Sequence, residues 1–157
     1  MTAPAQWVRA DRFGRVGPRL PGSYVLVVRL GRPAEIRAGK RPARIFSAGC
    51  YAYAGSALGG LRQRLGRYAA PGRKLHWHID YVLAEATVVG AWILPGTERL
   101  ECPLARILGR RAELVAGFGS SDCGCPGHLF FASDGLFLRE RAMRTLLSDN
   151  LLYCKKR

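Results

Sequence analysis

The side chains able to do chemistry gather in three stretches. In Cys50–Tyr68 an apolar, aromatic run ends at Tyr53-Ala54-Gly55. A small-residue turn follows (Ser56, Ala57, Gly59, Gly60), then a basic segment with Arg62, Arg64 and Arg67. A strand feeding a glycine-softened turn and a basic helix puts a tyrosine hydroxyl and guanidinium groups near one point, and arginine's planar fork suits phosphate oxygens. In the second stretch His76 and Asp80 stand at i and i+4 and could pair on one helix face. His76 and His78 share a face only if the chain there is extended, where both could meet a phosphate. The third stretch supplies Cys123, Cys125 and His128, with Cys102 more distant. These are the right atoms for a tetrahedral zinc site, although Cys-x-Cys-x-x-His is not a usual finger spacing. Free thiols lining a structural turn account for them as well.

The elements that must position these groups follow from periodicity. Gly22–Leu30 is rich in β-branched and apolar residues after Pro21 and reads as a strand buried on both faces. Gly31–Pro42 is a basic connection punctuated by Pro33, Gly39 and Pro42, so Ala43–Ala54 is expected as a second, antiparallel strand. Gly60–Tyr68 places Leu61 and Leu65 on one stripe of a short helix. After the turn Ala70–Lys74, a helix is expected over Leu75–Glu85, a third strand over Thr87–Leu94 and a third helix over Thr97–Arg110. Gly117–Gly127 reads as a loop, His128–Ala132 as a short strand and Arg139–Leu147 as a final helix. The expected class is α+β, a small, mostly antiparallel three-stranded sheet flanked by helices.

The chain of 157 residues, 48% hydrophobic, suits one folded domain over residues 21–157, preceded by a basic arm over residues 1–20. A net charge of +14 points to a polyanionic partner, nucleic acid ahead of an anionic membrane surface, because the arginines cluster beside aromatic and glycine residues. No apolar run approaches the roughly 20 residues that cross a bilayer, and the opening MTAPAQWVRADRFGR lacks the apolar centre of a signal peptide. A cytoplasmic, reducing location is expected, with no membrane partner. There the five cysteines read as free thiols or metal ligands.

Four parts in order resemble the GIY-YIG nuclease superfamily. Pro21-Gly22-Ser23-Tyr24 stands in the place of Gly-Ile-Tyr, and Tyr53-Ala54-Gly55 in the place of Tyr-Ile-Gly. Leu61-Arg62-Gln63-Arg64-Leu65-Gly66-Arg67-Tyr68 looks like the helix carrying the family's arginine, and Glu101 matches its single metal-binding glutamate. HWHIDY, ECPLA and SDCGCPGHLF further resemble a branch that occurs alone or fused to endonuclease III-like DNA glycosylases. In this chain the Cys/His-rich stretch forms a C-terminal extension standing where the family's asparagine would be sought.

The resemblance implies metal-dependent hydrolysis of a DNA phosphodiester, in a repair setting, with an endonuclease III-like glycosylase as a functional associate. It implies Mg²⁺ or Mn²⁺ on Glu101, which agrees with the need for a countercharge and help for the leaving oxygen. Tyr53, or Tyr24 on the paired strand, would take a proton from water. A phenol titrates near about 10, so that role needs a nearby cation. Arg64 would neutralise transition-state charge, and Tyr68 would complete a hydrogen-bond relay. Arg62, Arg67, Arg73, Lys74, His76 and His78 are the expected nucleic-acid contacts. The alternative is a nucleic-acid-binding module that keeps the fold without turnover; a zinc-stabilised interaction domain is a third reading.

Overall fold

The computed structural model describes residues 4–120 and 122–154. Its strands are β1 (Gln6–Arg9), β2 (Gly22–Leu30), β3 (Ala34–Ile36), β4 (Arg44–Phe46), β5 (Gly49–Ala57), β6 (Thr87–Pro95), β7 (Glu113–Val115) and β8 (Leu129–Ala132). Its helices are α1 (Leu61–Ala69), α2 (His78–Leu83), α3 (Glu101–Leu108) and α4 (Glu140–Cys154), with 3-10 turns at Ala10–Arg15 and Leu136–Leu138.

The class is α+β, but the main sheet has six strands instead of three, in the order β1-β6-β2-β5-β8-β7. Every pairing in it is antiparallel. The three expected strands form the contiguous middle, β6-β2-β5. Of the outer strands, β8 is the short strand expected over His128–Ala132, while β1 and β7, of four and three residues, are too short to show an alternation. The expected second strand is broken: Arg44–Phe46 pairs with Ala34–Ile36 in a separate hairpin, and Gly49–Ala57 carries on into the sheet. The expected arm is partly built into the domain. Gln6–Arg9 pairs with β6, Phe13 is buried, and the Leu20 carbonyl accepts the Leu61 amide at 2.8 Å, closing one of the open donors at the start of α1.

β2 is apolar without alternation because both sheet faces are covered. Val25, Val27, Ala52 and Ala54 face α3 and α4 in one core. Tyr24, Leu26, Val28 and Tyr51 face α1 and α2 in the other, with Leu61, Leu65 and Tyr68 as the buried stripe of α1. Burying a leucine of that stripe stabilises the fold by roughly 2 kcal/mol.

Two helices begin later than their periodicity suggests. α2 starts at His78 because the buried Asp80 carboxylate accepts the amides of His76 and Trp77, each at 2.8 Å, and holds Trp77 extended (φ −96°, ψ 160°). α3 starts at Glu101, where the Ser23 hydroxyl on β2 accepts the Leu100 amide at 3.0 Å. The last helix runs further than expected, to Cys154.

Candidate functional site

Antiparallel register puts Tyr24 opposite Gly55, which joins the two tyrosine-glycine signatures. A Cβ built on Gly55 would lie 2.5 Å from Tyr24 Cζ, so the tyrosine ring occupies the space a side chain would take. Tyr24 is fully buried, and its hydroxyl meets that of Tyr68 on α1 at 2.6 Å. The Arg64 guanidinium lies beside both phenols and donates to the Ser56 carbonyl at 3.3 Å. Tyr53, two residues before Gly55, shares that sheet face.

Ser23 and Ser56 are directly opposite each other and point to the other face, their hydroxyls 2.7 Å apart. The Ser56 hydroxyl donates to Glu101 Oε2, while Glu101 Oε1 faces Arg99 at 3.7 Å. Arg64 and Glu101 thus come from opposite layers. They meet because β8 stops short: its last register pair on β5 is Tyr53 with Leu129, followed by the Ala54 amide donating to the His128 carbonyl at 2.9 Å. Beyond that point the outer edge of β5 has no strand partner among the described residues, and the sheet opens into a notch. A cleft of about 560 Å³ fills it, lined by Tyr24, Tyr53, Arg64, Tyr68 and Glu101 among others.

The electrostatics of the two sides differ. Burial, reinforced by Tyr68 and Tyr53, holds the Tyr24 phenol well above its ordinary pKa. Burial also raises Tyr53, and the charge on Arg64 offsets only part of that. Tyr68 is raised by burial too, against the pull of its bond to Tyr24 and of Arg64. Burial opposes the charge on Arg64, yet the two neighbouring phenols outweigh it and the pKa is raised. At neutral pH the phenols are therefore neutral donors around a fixed cation, and Arg64 by itself does not make a phenolate of either tyrosine.

Asp80 acts as a cap of α2, and His76 and His78 do not share one extended run, because His78 already belongs to the helix. His76 and Trp77 line the cleft from the extended segment before α2 and His78 from its first residue, and Asp80 binds the His76 backbone instead of its imidazole. Burial, then the charge of Arg41, lowers the pKa of His78. Arg67 is not a free phosphate contact: its fork closes on Asp80 with two bonds of 2.8 Å, and it lies with Arg64 against the Trp77 ring, 4.5 and 4.6 Å from the centroid. The bonds from Arg67 and from the two backbone amides lower the pKa of Asp80, against its burial. Arg73 clips the following turn, donating to the carbonyls of Tyr68 and Ala70 at 2.9 Å each. Arg62 and Lys74 are exposed.

Cys102, Cys123, Cys125 and His128 come together on the Glu101 side, their ligand atoms all within 4.8 Å of one another. This cluster could hold a metal. Burial and the two neighbouring thiols push the Cys102 thiol up to about 12. Burial lowers His128, against the charge of Glu101. Glu101 presents one half-buried carboxylate to the cleft, its two oxygens facing Ser56 and Arg99.

Ser23, Ser56 and Arg99 were not among the expected site residues. A serine inside the apolar run Gly22–Leu30 was the available signal, since a buried hydroxyl needs a partner. Among the described residues no helix is long and apolar enough to cross a membrane. No curated protein and no solved structure matches the chain. The model of one family, described as "Domain of unknown function DUF123", matches residues 23–148, a span that runs from the serine capping α3 through every residue of the cleft, and the chain belongs to that family.

Proposed function

We propose that this domain is a GIY-YIG-type nuclease that hydrolyses phosphodiesters of DNA with Mg²⁺ or Mn²⁺. The observation that carries the reading is the shared cleft of Tyr24, Tyr53, Arg64, Tyr68 and Glu101, drawn from both faces of the sheet. The net charge of +14 supports a polyanionic substrate. DNA in a repair setting and association with an endonuclease III-like glycosylase complete the proposal and rest on the resemblance alone, and a cytoplasmic location is proposed from the sequence pattern. The Cys/His cluster, with soft sulfur donors, is read as a zinc site and not as a second magnesium site.

Glu101 would hold the hard cation, which supplies countercharge to the phosphoryl group and the leaving oxygen when bound. The chain's own part is positioning and electrostatics. Arg64, fixed by the Ser56 carbonyl and two phenols, presents its charge to the phosphoryl oxygens. Tyr53 would orient water through its hydroxyl and could accept a proton only as the phenolate, having first released its own to solvent, which the charge of a bound cation would favour against its burial. Tyr68, bonded to Tyr24, keeps that buried hydroxyl in register. Ser56 would help to hold the Glu101 carboxylate through its hydroxyl. The Cys/His-rich stretch standing where the family's asparagine would be sought supports a second reading, a binding module without turnover.

The two are separated by a cleavage panel of single strands, duplexes, flaps, abasic and bubble DNA, with and without Mg²⁺ or Mn²⁺. Metal-dependent nicking that drops in Tyr53→Phe, Arg64→Ala and Glu101→Ala supports the enzyme. Salt-sensitive binding without nicking supports the module. Undiminished cleavage by all three folded variants removes the assignments.

A further inference from the structure

The Cys/His cluster does more than sit near the cleft. Cys102 follows Glu101 in the first turn of α3. His128 is 3% exposed, and its Nε2 lies 3.5 Å from Cys123 Sγ and 3.8 Å from Cys102 Sγ. A tetrahedral zinc ion with bonds of about 2.3 Å to sulfur and about 2.05 Å to nitrogen has S···N edges of about 3.6 Å and S···S edges of about 3.8 Å. The observed separations match the S···N edge, and the four-atom group needs only small side-chain rotations to close on an ion.

The same residues tie three segments together. The His128 amide donates to the Phe118 carbonyl at 2.6 Å, and its carbonyl accepts the Ala54 amide between Tyr53 and Gly55. The loop that carries Cys123 and Cys125 presses on the site. At Gly119 (φ +76°) a Cβ would fall 2.6 Å from Tyr53 Cε2. Between Gly119 and Gly127, none of the described residues belongs to either hydrophobic core. Such a loop has little besides backbone bonds to fix it, and a metal would supply what burial does not.

We propose that a zinc ion held by Cys102, Cys123, Cys125 and His128 builds the acidic wall of the cleft, so that hard-cation binding at Glu101 depends on zinc. The zinc is structural, with all four positions filled by protein, and the cation at Glu101 remains a separate, exchangeable one. The coupling rests on Glu101 as the hard-cation ligand in the proposed nuclease. Its physical route is short: the ion fixes Cys102, and with it the helix turn and carboxylate one residue earlier. Through His128 it also fixes the strand edge beside Tyr53.

The test uses the whole chain, purified reduced and without chelator. Elemental analysis is expected to find about one zinc per chain, and cobalt substitution is expected to give the intense thiolate-to-metal absorption of a tetrahedral site. Cys125→Ser and Cys102→Ser are expected to lower both. Mn²⁺ binding, followed by electron paramagnetic resonance, is expected to weaken about tenfold or more in the zinc-stripped protein and to recover on reloading, as for loss of an outer support of a metal ligand. Amide exchange is expected to speed up at Ala54 while the centre of β2 stays protected.

No zinc in the reduced protein, even after reconstitution, overturns the proposal. Equal Mn²⁺ affinity with and without zinc, alongside loss of Mn²⁺ binding in Glu101→Gln, overturns the coupling and leaves the nuclease reading standing. Unchanged Mn²⁺ binding in zinc-loaded Glu101→Gln removes the Glu101 reading and the coupling with it, whatever the zinc content. Loss of protection throughout β2 on stripping overturns the local role, because zinc would then hold the whole fold.

Discussion

The two walls of the cleft are built on different principles. On the α1 side, Tyr24, Tyr68, Arg64, Trp77, Arg67 and Asp80 form a connected set in which the named polar groups meet one another or a backbone group. Asp80 has no exposed surface and accepts from Arg67 and two amides. On the α3 side, three thiols gather with one imidazole, and the neighbouring Glu101 carboxylate faces Arg99, 73% exposed. The first wall is closed by the protein's own charges, and burial makes those bonds worth keeping. The second gathers thiols and an imidazole with only the exposed Arg99 facing its carboxylate, so in the proposed zinc site a cation from solution would complete it. In the proposed nuclease, the wall carrying Arg64 and the wall carrying Glu101 and the thiols would face a phosphodiester from its two sides.

The contrast is sharpest in a pair of variants. Arg64→Ala is expected to lower metal-dependent nicking by about 10²–10³ while leaving Mn²⁺ affinity within about twofold of wild type, because its countercharge acts on the phosphoryl group and not on the cation. Glu101→Ala is expected to lower both. Steady-state nicking at saturating Mn²⁺, with affinity measured separately, checks the split. Loss of Mn²⁺ affinity in Arg64→Ala would mean that the walls do not divide the work.

Packing gives the next effect. Gly55→Ala forces the Tyr24 ring from its place and is expected to destabilise the domain by about 2–3 kcal/mol, read from denaturant midpoints at constant m-value. Gly59, where a Cβ meets nothing within 4 Å, is the control: Gly59→Ala is expected to be nearly neutral. Equal effects at both glycines would show that the Tyr24 ring yields easily and that this wall is soft.

The smallest expected effect is electrostatic and tests whether the closed wall is closed by charge. Asp80→Asn is expected to cost about 2 kcal/mol, below the 3–5 kcal/mol of a fully buried pair because Arg67 keeps 29% of its side chain exposed. The folded pKa of Asp80 is lowered, so its contribution is complete above the unfolded value of about 3.9 and is lost as pH falls through the folded value. Wild-type stability should therefore fall more steeply than that of Asp80→Asn below about pH 4, and the two curves should converge in acid. Parallel curves would place the worth of Asp80 in its shape and hydrogen bonds.

Much of this was legible in the chain, unevenly. Gly22–Leu30 needed only its apolar run, since a strand covered on both faces has no alternation to lose. Leu61 and Leu65 announced the buried stripe of α1 by spacing alone. The starts of α2 and α3 were misplaced because their periodicity extends backwards into residues whose amides are claimed by Asp80 and Ser23, a contest decided by side-chain bonds and not by pattern. Gln6–Arg9 carries too few residues to mark itself as a strand. It becomes one because β6 offers an open edge.

The local grammar of the sequence determined which residues had chemistry to offer: phenols next to glycines, arginines on a leucine-striped helix, thiols and a histidine in a glycine-rich loop. Only the tertiary structure decided which of them meet. Arg67 and Arg73 are drawn away to Asp80 and to a turn, while Ser23 and Ser56 join Glu101 to the strands. Propensity and periodicity act over a few neighbouring residues, whereas the notch at the end of β8, where both faces of the sheet reach one cleft, arises from pairings between segments far apart in the chain.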